Sequence, residues 1–153
     1  GDLNFGLNDL TIHRHNSHAL IVLDVYVNDQ FLNSYWADGL IISTPTGSTG
    51  YSLSCGGPIL TPESSNFIIT PIATHNLTVR PIVLPDSSTI TVKLNGRGKA
   101  YTAALDSRVH QVAVSDVFTI KKESFKMKLV KMPEENFFNT IRDKLNWGLD
   151  NRN

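Results

Sequence analysis

One cysteine, Cys55, stands in a chain of 153 residues. No intrachain disulfide can therefore staple the fold, which suits a reducing compartment. An excess of charge of one sign is also missing. Lys+Arg and Asp+Glu number 14 each, and a net charge of zero gives no general electrostatic footprint for nucleic acid. Long hydrophobic runs are absent. The longest, Ala19 to Leu23, falls far short of the roughly 20 residues that a membrane-spanning helix needs. No secretory signal precedes it. Glycine at 10 and proline at 7 are ordinary counts, which excludes collagen-like and low-complexity chains. What remains, 41% hydrophobic and 18% charged residues, is a globular composition. A domain of this length buries roughly 68–70% of the surface of its unfolded chain, so one core suffices.

The opening Gly1-Asp2-Leu3-Asn4-Phe5-Gly6 is neither a methionine start nor a targeting segment. It reads as a cut inside a longer protein, with Gly1 fitting a tag scar. Strand patterns dominate the chain beyond it. Leu10 to Arg14 is a short candidate. Ala19 to Val27 is aliphatic and β-branched, Asn28-Asp29-Gln30 supplies turn residues, and Phe31 to Trp36 returns. That pattern predicts a hairpin with a three-residue loop. Leu40-Ile41-Ile42 is too short for a helix and suits a buried strand. From Ser43 to Gly50 all residues are small or conformationally permissive. Tyr51 to Cys55 fits a short helix, which Gly56-Gly57 ends and Pro58 cannot continue. Strand signals return at Phe67–Thr70, Ile82–Leu84, Thr89–Leu94, Ala100–Leu105, Gln111–Val114, Val117–Ile120 and Phe125–Val130. Turn residues separate them at short spacing, as in an all-β sandwich. After Pro133, Glu134-Glu135-Asn136 suits a helix N-terminus. Phe137, Ile141, Leu145 and Trp147 then form an apolar stripe, with Gly148 as the stop. There is no internal repeat.

The residues that could carry chemistry are few. Thr44-Pro45-Thr46-Gly47-Ser48-Thr49-Gly50-Tyr51 is a strand, a small-residue loop and a helix start. Backbone N–H groups in such a loop can approach an anion, and the hydroxyls of Thr46, Ser48 and Thr49 can donate to phosphate or ribose. A plain tight turn explains the loop equally well. It is not a P-loop, a dinucleotide-fold fingerprint or a serine-hydrolase elbow. Asn8-Asp9 can bind a ribose diol together, although capping a turn is the default. Asp38-Gly39 can bind an amide or amine at a strand start, and a turn is again the default. His13 and His15 share a strand face and His18 stands near, enough for two metal ligands, but a solvated hairpin end accounts for them better. Asp106-Ser107-Arg108 fits a turn with a surface charge pair. Arg80 fits a structural salt bridge, and Cys55 fits packing.

Together these residues closely resemble one family. Leu7-Asn8-Asp9, then the run from Asp38 to Ser54, then Gly56-Gly57-Pro58-Ile59-Leu60, are similar to the C-terminal domain of NAD kinases. Ile69-Thr70-Pro71-Ile72 and His75 to Pro85 continue the resemblance. Phe137-Phe138-Asn139-Thr140 with Lys144-Leu145 and Trp147-Gly148 resembles the closing helix of bacterial members. It covers nearly the whole chain.

The resemblance implies ATP-dependent phosphorylation of the adenosine-ribose 2′-hydroxyl of NAD, giving NADP, in a cytoplasmic, homo-oligomeric enzyme, a dimer or a tetramer. NAD and ATP are the implied substrates, with Mg²⁺ or another divalent metal accompanying ATP, and with no nucleic-acid or membrane partner. It implies a mainly β domain of stacked sheets over residues 1–153, with a short helix after the Gly/Ser/Thr loop and a closing helix. An N-terminal α/β nucleotide domain would lie outside the chain. Asn8 and Asp9 match the pair that holds the ribose hydroxyls, and Asp38 matches the acid near the nicotinamide carboxamide. Thr46, Thr49, Gly50, Tyr51 and Ser54 match the loop at adenine and ribose, while Ala73 and His75 align with pocket positions completed across a subunit interface. Asp106 matches an aspartate near the reacting phosphate. Two departures stand out. Gly50 replaces a usual alanine, and the family's Gly-Gly-Asp-Gly motif, which carries the proposed general base, does not occur in these residues. The isolated chain is therefore expected not to turn over. The rival expectation is a non-enzymatic nucleotide-binding or assembly module of the same fold. A related lipid kinase is disfavoured by the Asp38–Leu60 run and by the lack of a basic amphipathic stretch.

Overall fold

Alternating side chains near the start of the chain build the middle of the fold. The structure is a computed structural model that describes residues 4–14, 21–95, 101–130, 132 and 136–148. Two compact units divide it, Gly1–Glu123 and Ser124–Asn153.

In the first unit ten strands run in order: β1 (Asp9–Arg14), β2 (Ile21–Val27), β3 (Gln30–Ala37), β4 (Gly39–Ser43), β5 (Asn66–Ile72), β6 (Ile82–Pro85), β7 (Ile90–Asn95), β8 (Tyr101–Leu105), β9 (Arg108–Val112) and β10 (Val117–Ile120). Six form a sheet in the order β6-β5-β4-β1-β8-β9, and four form a second in the order β10-β7-β2-β3. Every pairing is antiparallel. The two sheets share one apolar cluster. Leu10, Ile12, Leu40, Ile42, Phe67, Ile69 and Tyr101 from the larger sheet meet Leu23, Val25, Tyr35, Ile90 and Val92 from the smaller. Burying each such side chain is worth about 1.5–3 kcal/mol relative to leaving it in water. The expected stacked, mainly β architecture is thus present.

The larger sheet is also covered on its other face, where Thr11, Ile41, Ser43, Ile68 and Thr70 are buried. Part of that cover is the small-residue loop. A 3₁₀ turn at Thr46–Thr49 leads into the helix α1 (Tyr51–Ser54), and Ser52 Oγ lies 2.8 Å from Thr70 Oγ1 on β5. Gly56, at φ +82°, ends α1 in the left-handed conformation that glycine takes without steric cost, as expected.

Some boundaries differ from the sequence expectation. The β2–β3 loop has two residues, not three: Asn28 (φ 49°) and Asp29 (φ 63°) are both left-handed, the type I′ geometry that matches strand twist. A register shift between Val25 and Tyr26 absorbs the extra residue. Strand β9 begins at Arg108, three residues earlier than expected, because the turn at Asp106-Ser107 closes a tight hairpin with β8. Residues 121–130, including the alternating Phe125–Val130, form no strand. Alternation assigns faces, but a strand also requires a neighbouring backbone ladder.

In the second unit, α2 spans Phe137–Leu145. Its start is capped by Asn136, whose Oδ1 accepts the Asn139 N–H at 2.9 Å. It ends at Asn146 (φ 50°), two residues before Gly148, since asparagine also tolerates the left-handed C-terminal position. The expected acidic start at Glu134-Glu135 lies outside the described residues. No helix among the described residues is long and apolar enough to cross a membrane.

The two loop glycines should respond differently to alanine. A Cβ at Gly47 would overlap the Asn8 carbonyl, whereas one at Gly50 would meet only the Gly47 oxygen at 3.3 Å. In urea unfolding Gly47→Ala should cost about 1–3 kcal/mol, and Gly50→Ala should stay within about 1 kcal/mol of the parent.

Candidate functional site

An open pocket of about 470 Å³ lies on the loop-bearing face of the larger sheet. β1 supplies Asp9, Thr11, His13 and Arg14. Asp38 enters from the β3–β4 junction, Tyr51 from α1, Ile72 from β5, Ala104 from β8 and Asp106 from the β8–β9 turn. The register explains the gathering. Thr11 lies opposite Ile41 on β4 and Ala104 on β8, while His13 lies opposite Gly39 and Thr102. Asp9, Thr11 and His13 therefore face the pocket because Leu10 and Ile12 face the core. Gly39 is required beside them, for a Cβ there would stand 2.6 Å from the Ile12 carbonyl oxygen.

Three carboxylates line this pocket with different partners. Asp9 Oδ1 accepts the Thr11 hydroxyl at 3.0 Å. Burial raises the Asp9 pKa, and the Asp106 charge adds to the rise; the Thr11 bond opposes it. Asp38 Oδ2 lies 3.1 Å from Arg14 Nη2. Both side chains are about one-third exposed (37% and 31%), so this pair contributes at most about 1 kcal/mol. Asp106 accepts three backbone N–H groups: Leu7 at 2.9 Å on Oδ2, and Asn8 at 2.8 Å and Asp9 at 3.2 Å on Oδ1. Burial pushes its carboxyl upward, but the three donors and the Arg108 charge outweigh burial and leave its pKa below the usual carboxylate range. Tyr51 has a raised pKa, first from burial and then from the Cys55 and Asp38 charges. Its phenol remains a hydrogen-bond donor at neutral pH.

The loop beside the pocket is built by its own hydroxyls. Thr44 Oγ1 donates to the Leu7 carbonyl at 2.6 Å, and Thr44 N–H donates to the Asn8 carbonyl at 2.9 Å. Ser48 Oγ donates to the Pro45 carbonyl at 2.6 Å and accepts the Leu60 N–H at 3.0 Å. Ser48, a phosphate or ribose donor on sequence grounds, is therefore engaged in holding the loop. Thr46, Thr49, Gly50 and Ser54 are exposed. Asn8 is half-buried next to the pocket wall. Its backbone groups are taken by Asp106 and Thr44, and among the described residues its side-chain amide meets no partner.

Of the residues carried over by resemblance, Asp9, Asp38, Tyr51 and Asp106 line one pocket. Asn8, Thr46, Thr49, Gly50 and Ser54 belong to the adjoining segments, outside its lining. Ala73 (φ 45°) and His75 sit on the exposed turn after β5, where His75 N–H donates to the Trp36 carbonyl at 3.0 Å. Thr11, Arg14, Ile72 and Ala104 are pocket residues that the sequence reading missed, though the period of β1 carries the signal for Thr11. His13 is a pocket wall rather than a solvated hairpin end, with Nδ1 2.8 Å from the Arg14 carbonyl oxygen. His15 and His18 lie outside the described residues. Among those described, no group of three or more His, Cys, Asp or Glu could hold a metal. Arg80 donates to the Leu77 and Val79 carbonyls rather than to a carboxylate. Cys55 is partly buried with a raised pKa caused by burial, as suits packing.

Three carboxylates, a phenol donor and an open wall beside a small-residue loop mark a mainly β domain with a polar pocket on its larger sheet. Comparison with known proteins makes the class specific. A family described as the ATP-NAD kinase C-terminal domain matches residues 7–132. The NAD kinase of Flavobacterium psychrophilum is 55% identical over 152 residues, 99% of this chain and 52% of its own length. That of Cytophaga hutchinsonii is 52% identical over 153 residues, 100% of this chain and 52% of its own. A crystal structure of yeast NADH kinase complexed with NADH superposes with a TM-score of 0.87 at 31% identity, covering 96% of this chain and 46% of that one. An Archaeoglobus fulgidus NAD kinase in complex with ATP gives 0.70 at 28% identity, covering 78% and 46%. The chain belongs to the ATP-NAD kinase C-terminal domain family. It spans about half the length of the curated relatives it matches.

Thr11 should tune the acidity of Asp9. Replacing it as Thr11→Val removes the hydroxyl donor and should raise the Asp9 pKa further. The side-chain carboxyl ¹³C signal of Asp9, followed through a pH titration, reads that shift. An unchanged or lowered midpoint would show that the bond does not act on Asp9.

Proposed function

We propose that this chain is the NAD-binding, oligomerising part of a bacterial, cytoplasmic NAD kinase, which transfers the γ-phosphoryl group of ATP to the adenosine-ribose 2′-hydroxyl of NAD to give NADP. The observation that carries this reading is the convergence of Asp9, Asp38 and Tyr51 from three separate segments on one pocket. These are three of the positions that resemblance assigns to the dinucleotide, and the match over residues 7–132 supports the same reading.

In the proposed site the Asn8 amide and the Asp9 carboxylate take the hydroxyls of one ribose. Asp38, steadied by Arg14, accepts from the nicotinamide carboxamide. Tyr51 and the exposed hydroxyls of Thr46, Thr49 and Ser54 flank the adenosine, and Ala73 and His75 complete the pocket across a subunit boundary in a dimer or tetramer. The chain's residues hold and orient the acceptor, which is most of what phosphoryl transfer asks of a protein. As a bond forms from the 2′-oxygen to the γ-phosphorus, the bridging oxygen leaves with ADP. The proton of the 2′-hydroxyl goes to a general base, which in this reading is the aspartate of the Gly-Gly-Asp-Gly motif supplied by the other half of the enzyme.

The divalent metal expected with ATP does not fit a site made by the described residues alone. No cluster of three ligating side chains exists there, and the Asp106 oxygens are already taken up by amides. In this reading the metal arrives with ATP.

Calorimetric titration of NAD into the chain tests the proposal. Saturable binding is expected. Asn8→Ala should weaken it about tenfold or more, since one or two ribose hydrogen bonds of about 0.5–1.5 kcal/mol each are lost. No saturable heat from a folded, oligomeric sample would overturn the reading of this half as the NAD side. NADP formation on adding the other half, and none without it, would separate the kinase from a non-enzymatic module.

A further inference from the structure

We propose that Asp106 is a positioning residue that presents Asn8 and Asp9 to the ribose, rather than a group acting on the phosphate or its metal. This inference rests on the reading of Asn8 and Asp9 as the ribose-binding pair.

The geometry is a clasp closed from both directions. Asp106 N–H donates to the Asp9 carbonyl at 2.9 Å, continuing the β1–β8 ladder one residue past Leu10 and Leu105. The chain then turns at Asp106 itself, whose φ of 51° is left-handed, a conformation that aspartate tolerates better than most residues. The carboxylate accepts the N–H groups of Leu7, Asn8 and Asp9 at 2.9, 2.8 and 3.2 Å. Two residues on, Arg108 donates through its guanidinium to the Phe5 carbonyl. One hairpin tip thus holds the whole segment from Phe5 to Asp9. From the other side, Thr44 bonds the carbonyls of Leu7 and Asn8. The segment leading into β1 is fixed by side chains and backbone from about 35 and 100 residues away.

A carboxylate offers roughly four acceptor positions. Three are filled here by N–H groups whose positive ends converge on it. A cation or a phosphate-bound metal approaching the same oxygens would have to displace those bonds or face those dipoles, so the remaining capacity is poor for direct chemistry. Charge-assisted bonds to a carboxylate are stronger than neutral ones, and here they act on Asp9, whose side chain lines the pocket, and on Asn8 beside it. With its backbone N–H and carbonyl both engaged, Asn8 has its side-chain amide left for the ligand. Asp106 therefore acts through Asn8 and Asp9.

The test is Asp106→Asn, which keeps the shape and tolerates the left-handed turn but places an NH₂ against at least one of the three amides. Two readings are taken on the full chain: ¹H–¹⁵N amide spectra without ligand, and calorimetric NAD titrations of the parent, Asn8→Ala, Asp106→Asn and the double variant. The amide protons of Leu7, Asn8 and Asp9 should move upfield while the rest of the spectrum keeps its folded pattern. NAD affinity should fall about tenfold, as for Asn8→Ala, and the double variant should be within about twofold of the weaker single one. A merely structural loss would lower the melting temperature without this coupling to Asn8. Losses that multiply to about a hundredfold in the double variant would overturn the inference, because Asp106 would then affect binding independently of Asn8. Unmoved Leu7, Asn8 and Asp9 amides would also overturn it. Since those shifts are read without NAD, a parent chain that binds no NAD yet shows them would sink the binding proposal and still support Asp106 as the residue holding this segment.

Discussion

The alternation of a single strand decides what this domain presents. Leu10 and Ile12 of β1 enter the core between the two sheets, and Asp9, Thr11 and His13 consequently face the pocket. A slip of one residue would exchange the two sets, burying a carboxylate and exposing two aliphatic side chains. The register is therefore pinned at both ends. Near Asp9, Asp106 and Thr44 bond the entering backbone. Near Arg14, the Arg14 N–H donates to the Asp38 carbonyl, and the guanidinium meets the Asp38 carboxylate. In between, Gly39 lets β4 come close enough that any side chain would strike the Ile12 carbonyl. Two-sided burial of β1 and β4 leaves those strands little freedom to shift, so the pocket inherits the rigidity of the sheet.

Much of this arrangement can be read from residue types. Short β-branched runs and closely spaced turns predict stacked antiparallel sheets, and Gly56 marks the end of α1 because few other residues take its φ of +82°. The run from Asp38 to Leu60 points to its family by residue type alone. What could not be read is whatever depends on long-range register. Nothing local shows that Thr11 and Ala104 lie side by side, or that Arg14 reaches Asp38. The two-residue turn at Asn28-Asp29 depends on both residues being left-handed, and a bulge two residues earlier hides the count. Phe125, Met127 and Leu129 alternate as a strand does, yet side-chain faces do not specify where a backbone ladder will form. Ser48 has the hydroxyl of a ligand donor, but its contacts with Pro45 and Leu60 are visible only once the loop is folded.

The two aspartates that flank the start of β1 are driven in opposite directions, and this separates their work. The depressed pKa of Asp106 means that the fold prefers its ionised form. Its contribution to stability is present above roughly pH 4, the ordinary range for an unfolded carboxylate, and is lost as pH falls through the lower folded value. The raised pKa of Asp9 has the reverse sign. The fold favours its protonated form, and that contribution fades as pH rises through the raised value, so the ionised form of Asp9 is the one the fold holds at a cost. Part of the cost comes from Asp106 itself, whose charge faces Asp9.

A group that the fold stabilises as an anion, with three amides around it, is suited to holding backbone in place. A carboxylate whose ionised form is opposed by burial and a like charge, with one hydroxyl donor, is suited to receiving further donors. The hydroxyls of a sugar are donors of that kind, and accepting them would relieve a charge that the pocket's own groups leave under-solvated. Asp106 and Thr44 bond the backbone from Leu7 to Asp9 and so fix where the Asp9 carboxylate is presented. In the proposed function the clasp and the pocket-lining acid are therefore two halves of one device, in which bonds made at the hairpin tip hold Asp9 where the dinucleotide would bind.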